Sequence, residues 1–169
     1  MVKRVSRQLS DPFEFARRGG QLDGEIDARE LERLKDVLRS SADAQLVRYS
    51  LMGEKLGDKH FIRIDLSVSL SLGCQRCLED LPCAVAAEGR LLLVPLGMPM
   101  PDDGLEDDSF DPVHVGVDFD VLAAVEEELL LALPIAPVHE NCEAPGGVSR
   151  DDNASPFAVL GRLKRSDVE

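Results

Sequence analysis

Eleven residues in the middle of this chain alternate without a break. Ile62, Ile64, Leu66, Val68, Leu70 and Leu72 are separated by Arg63, Asp65, Ser67, Ser69 and Ser71. A helix would scatter six apolar side chains at this spacing around its circumference, whereas a strand puts all six on one face. The segment therefore predicts a long strand with one face in a core and the other in water. Shorter runs flank it. Val47, Tyr49 and Leu51 alternate before it, and Gly53 to Lys59 holds two glycines and an aspartate, which suits a hairpin connection. Residues 84–94 read as a further strand, weakened by Ala86, Ala87 and Gly89.

These signals predict an α+β fold. A mostly antiparallel sheet (residues 21–26, 44–52, 60–72 and 84–94) packs against two main helices, at 28–39 and 120–133. Whether the sheet closes into a barrel is not decided by the alternation. The first helix is expected from Asp27 as a cap, Glu30 three residues on, and Leu31, Leu34 and Leu38 at helical spacing. The second is expected from Leu122, Val125, Leu129 and Leu133, with Asp118 or Asp120 as cap and Pro134 as stop. Residues 97–116 read as an acidic loop, and 143–153 as a flexible linker inside one domain spanning 1–169. Asp11-Pro12-Phe13-Glu14-Phe15 is either a docked arm or a frayed tail.

Composition excludes several functions. The formal net charge is -13, against a simple basic nucleic-acid face, and no DNA partner is expected. Aromatic residues are 4% of the chain, with no Trp and one Tyr, too few for a base-stacking platform. No apolar run reaches the roughly 18 to 20 residues of a membrane span, and the N-terminus lacks a secretory pattern. Four cysteines are too few for a disulfide scaffold, so a cytoplasmic protein with reduced thiols or a metal is expected.

The charge is unevenly spread. Eleven acids and no Lys or Arg lie between Asp102 and Glu128, leaving a net -2 for the rest of the chain. Residues 1–18 carry net +3. Any RNA contact is expected at Arg4, Arg7, Arg17 and Arg18, at Arg76, and at Arg162, Lys164 and Arg165. The acidic stretch is either a surface for a basic protein or a solvated face.

Cys74-Gln75-Arg76-Cys77 has the spacing of the first half of a tetrahedral metal site, and His139-Glu140-Asn141-Cys142 can supply the second half. Three sulfurs and one nitrogen suit structural zinc, although 61 residues separate the halves. The same cysteines are open to two other readings: a dithiol redox pair at Cys74 and Cys77, or thiols with no special role. Cys83 fits neither half and reads as a small, partly buried residue. His60 and His114 have no evident acid–base partner, and no nucleophile-elbow, Walker or H-E-x-x-H motif occurs.

The order of these pieces resembles the YceD family of large ribosomal RNA subunit accumulation proteins. The resemblance rests on Asp11-Pro12-Phe13, Leu22-Asp23-Gly24-Glu25-Ile26, and Leu72-Gly73-Cys74-Gln75-Arg76-Cys77. It continues through Val125-Glu126-Glu127-Glu128-Leu129, Leu133-Pro134-Ile135-Ala136-Pro137-Val138-His139 and Pro156-Phe157-Ala158-Val159-Leu160. Ser155 departs from the Asn that many relatives carry there. The resemblance implies a non-enzymatic role in the synthesis, processing or accumulation of large-subunit ribosomal RNA. The partner would be precursor RNA or a ribosomal protein. A dithiol oxidoreductase and a zinc-stabilised protein-binding adaptor are the alternatives.

Overall fold

The structure is a computed structural model that describes residues 7–39, 45–101 and 109–145. The long alternating segment is the central strand β4 (Lys59–Gly73). Its neighbours are β3 (Leu46–Leu56) and β5 (Asp80–Pro95), both antiparallel to it. β3 and β4 meet at a two-residue turn in which Gly57 takes φ 59, a left-handed value open to glycine without steric cost. β2 (Gln21–Asp27) pairs with β3, and β6 (Asp111–Val115) pairs with β5. The five strands run β2-β3-β4-β5-β6, and the sheet is open.

Alternation fixes what the sheet buries. Ile62, Ile64, Leu66, Val68, Leu70 and Leu72 are all buried, as are Val47, Tyr49 and Leu51 beside them. The register sets Ile64 opposite Gly89, Leu66 opposite Ala87 and Val68 opposite Val85. Of the small residues that weaken β5 as a strand, Ala87 and Gly89 thus lie on the core face, where α2 (Val121–Ala132) packs, and Ala86, opposite Ser67, lies on the exposed one. The helix buries Val121, Val125 and Leu129 at i, i+4 and i+8, and Asp120 caps it through Ala123 N–H at 2.9 Å. Its buried stripe therefore starts at Val121, whereas Leu122 and Leu133 are only partly covered. At one end the outer face is covered as well, where Phe61, Leu92, Val94 and Phe110 form a second cluster.

Two expectations are corrected and one open alternative is resolved. Residues 28–39 do not form an α-helix: a 3-10 turn, Ala28–Glu30, is followed by turns as far as Leu38. Leu31 has an extended backbone at φ -85, ψ 116, so the helical hydrogen-bond ladder breaks there. The Arg33 N–H instead donates to Glu126 Oε1 of α2 at 2.7 Å. Tertiary bonds at both ends hold the segment, from Ala28 N to Gln45 O (2.8 Å) and from Arg39 N to Ser71 O (2.8 Å). Leu31 and Leu34 still enter the core, so the spacing identified the buried residues but not their backbone.

The resolved alternative is α1 (Pro12–Arg17), in the segment that composition left as docked arm or frayed tail. Asp11 caps it by accepting from Glu14 N at 2.9 Å, and Pro12 fits its first turn. Phe13 and Phe15 pack against the core, so this is a docked arm. It rests on β3, where a Cβ on Gly53 would lie 2.5 Å from the Phe15 carbonyl oxygen. β1 (Gln8–Ser10) precedes it and pairs with β7 (Asp118–Asp120).

The second correction is that the acidic loop is shorter than expected. Residues 111–115 are β6, which runs parallel to β5. A parallel neighbour requires a crossover of about a dozen residues, which gives residues 96–110 their length. Residues 102–108 of that loop and 146–153 of the expected linker lie outside the described residues.

Candidate metal centre

Beyond Gly73 the even-numbered positions of β4 continue one residue further, which places Cys74 on the buried side, at 0% exposure. The chain then turns. Cys74 N donates to Glu79 O (2.9 Å) and Leu78 N to Cys74 O (2.9 Å), and Leu78 takes a left-handed φ of 65. This returns the chain into β5 and leaves Cys77 half-buried beside Cys74.

The second half-site arrives from α2. The helix ends at Ala132, and Pro134 prevents its continuation. The following segment lies along the turn: Gln75 N donates to Pro137 O at 2.8 Å, and Arg76 Nη1 to Cys142 O at 3.2 Å. Cys74, Cys77, His139 and Cys142 converge, with their ligand atoms all within 4.8 Å of one another. Cys74 Sγ and Cys142 Sγ are 3.7 Å apart, and Cys77 Sγ and His139 Nδ1 are 3.3 Å apart. These four residues form the one such cluster among the described residues, and they could hold a metal ion.

The electrostatics favour an anionic sulfur at the buried corner. Burial alone would raise the Cys74 thiol. Backbone donors at Cys77, His139 and Arg76 outweigh it and bring the thiol down to about 5. Two of these contacts are His139 N–H to Cys74 Sγ at 3.5 Å and Arg76 N–H at 3.4 Å. For Cys77 a backbone donor at Glu79 pulls downward, but burial and the neighbouring Cys74 and Cys142 sulfurs leave the thiol raised. One sulfur is thus prepared as a thiolate, and a cation would relieve the crowding of the others.

Other candidate residues are placed as follows. Cys83 faces Leu70 across β4–β5 and packs against the core, as expected. His60 stacks edge-on against Phe13, and His114 Nε2 meets the Met98 carbonyl at 2.9 Å. Arg17 and Arg18 both pair with Glu14, Arg7 lies 3.8 Å from Glu30, and Arg76 bonds the Cys142 carbonyl. Arg4, Arg162, Lys164 and Arg165 lie outside the described residues. The acids after Asp111 do not make one exposed face. Glu126 and Glu128 are buried, Glu127 pairs with Arg33, and Asp120 caps α2. One contributor had no sequence signal: Arg39 donates from Nη2 to Leu78 O (3.1 Å) and braces the turn from outside.

Fold and site together define a class: an open, mostly antiparallel α+β protein whose chemistry is concentrated in a cysteine–histidine cage that joins a hairpin tip to the segment after a helix. No helix among the described residues is long and apolar enough to cross a membrane. The chain belongs to the YceD family, whose family model, described as Large ribosomal RNA subunit accumulation protein YceD, matches residues 62–164. A protein of that name from Haemophilus influenzae is 31% identical, with 92% of this chain and 94% of that protein covered. No solved structure matches the chain. The matched span contains β4 from Ile62 onward, β5, α2 and all four cage residues.

Proposed function

We propose that this protein is a non-catalytic factor that supports accumulation of large-subunit ribosomal RNA in the cytoplasm. It does so by binding the assembling subunit, through its RNA or one of its proteins, and its cage holds one structural zinc ion. The observation that carries this reading is that a span matching the family of ribosomal RNA accumulation proteins contains both halves of one cage. A tetrahedral zinc ion bonded at about 2.3 Å to sulfur and about 2.0 Å to nitrogen requires S···S edges near 3.8 Å and S···N edges near 3.5 Å. Two of the six edges, at 3.7 Å and 3.3 Å, match those values, and all four ligand atoms lie within 4.8 Å of one another. Bound there, zinc would tie the hairpin tip to residues 137–142 and close a long chain loop.

The dithiol reading fares worse on access. A redox pair attacks through its low-pKa thiol, and here that thiol is Cys74, which is wholly buried.

Cells lacking the protein are the test. They should show a lowered ratio of large- to small-subunit ribosomal RNA, restored by the wild-type chain and not by Cys74→Ser or Cys142→Ser. The purified protein should carry one zinc per chain and co-sediment with assembling large subunits. An unchanged RNA ratio would sink the functional reading. Metal-free native protein would sink the zinc.

A further inference from the structure

The cage holds an uncharged surface in place. Residues 131–138 (Leu-Ala-Leu-Pro-Ile-Ala-Pro-Val) contain no charged or hydrogen-bonding side chain, in a chain of which 30% is charged. Such a run would normally be core, yet Leu131 is 71%, Ile135 103% and Val138 43% exposed. Leu78, in the cysteine-bearing turn, is 59% exposed and donates its N–H to the Cys74 carbonyl. These residues are held together by the site itself. Pro137 accepts from Gln75 N, and His139, next to Val138, meets Cys77 Sγ. Exposed apolar side chains grouped on a braced segment mark an interaction surface rather than scattered surface leucines.

The surroundings of this surface say what it fits. Glu79, Glu140 and Glu143 are exposed beside the cage and make no ion pair among the described residues. The adjacent cation, Arg76, directs Nη1 to the Cys142 carbonyl. An apolar centre with a carboxylate rim complements a basic polypeptide that carries aliphatic side chains. RNA fits poorly, because the rim repels phosphate and residues 131–138 offer no aromatic ring for a base to stack on. A second copy of this chain would set carboxylate against carboxylate.

We infer that the Leu78–Ile135–Val138 surface is a docking site for a basic, aliphatic-bearing segment of a protein of the assembling subunit. This inference rests on the proposed function and names the partner's chemistry. Docking takes the aliphatic side chain onto Ile135 at the centre and sets Lys or Arg against the rim.

An array of overlapping peptides tiling the large-subunit ribosomal proteins, probed with the full-length zinc-loaded chain, tests it. Peptides that combine Lys or Arg with Leu, Ile or Val should bind. In titrations with the best of them, Ile135→Ser should weaken binding roughly tenfold or more, as expected for a central anchor. Glu140→Gln with Glu143→Gln should weaken it mainly at low salt. Four results would overturn the inference: no basic peptide bound, equal binding by Ile135→Ser, binding confined to RNA oligonucleotides, or self-association through this face. A urea midpoint lowered by Ile135→Ser would also overturn it, since the chain itself would then cover that residue. Gradient sedimentation separates the two readings. If wild type and Ile135→Ser co-sediment equally with assembling subunits, the docking site fails alone. If wild type does not co-sediment, the functional reading fails.

Discussion

The same substitution at two glycines of the sheet should have different outcomes. Neither Gly53 nor Gly89 has a positive φ, so alanine strains neither backbone. At each site alanine would gain about 0.4–1 kcal/mol by restricting the unfolded chain. The spaces available look alike by distance, since a Cβ would lie 2.5 Å from its nearest neighbour at Gly53 and 2.3 Å at Gly89. The neighbours differ in kind. At Gly53 they are the Phe15 carbonyl and the Ala16 Cα, backbone atoms of α1 that cannot rotate away. The arm must retreat by about 1 Å, which loosens buried Ala16 and the hydrogen bond from Gly53 N to Gly20 O; overpacking of this kind costs about 1–3 kcal/mol. At Gly89 the neighbours are the carboxyl atoms of Glu128, the end of a flexible side chain that can swing toward water.

Gly53→Ala is therefore expected to lose about 1–2 kcal/mol net, and Gly89→Ala to stay within about 1 kcal/mol of wild type. With a urea slope near 2 kcal/mol per molar, the first change lowers the unfolding midpoint by roughly 0.5–1 M at unchanged slope. Urea titration of both variants checks this. Gly53→Ala as stable as Gly89→Ala would refute the claim that α1 is seated rigidly on β3.

Burial, with Asp111 and Glu127 nearby, raises the pKa of Glu128 above the usual carboxylate value. For a raised pKa the stabilisation is complete below the unfolded value and is lost as pH rises through the folded one. Glu128→Gln should thus be more stable than wild type at neutral pH, with the gap closing toward pH 4 in urea titrations across pH; a gap that widened on acidification would contradict the placement. Leu34→Ala, at a wholly buried position outside any α-helix, should cost about 2–5 kcal/mol by thermal or urea unfolding. An effect below about 0.5 kcal/mol, the range of ordinary surface changes, would mean this segment is not core. Glu126→Ala leaves the Arg33 N–H without its acceptor and should cost about 1–3 kcal/mol; Glu126→Gln, which keeps an acceptor oxygen, should recover most of it. Chelation of the native protein should lower its unfolding temperature, whereas Cys142→Ser should make that temperature insensitive to chelator.

Strict alternation over residues 62–72 determined the central strand, its buried face and, carried one position further, the burial of Cys74. These properties follow from the period of an extended chain, which a sequence records locally. The two cysteine-bearing turns were legible because ligand type and short spacing are also local. Their meeting was not fixed by spacing, since it depends on the bond from Gln75 N to Pro137 O between elements far apart in the chain. Helical spacing correctly marked Leu31 and Leu34 as core, but the backbone there was decided by Glu126, 93 residues from Arg33. The acidic stretch looked like one exposed face until β6 and α2 buried or paired several of its members. A side chain's environment depends on what packs over it, and that is set by contacts between distant segments, which local pattern does not encode.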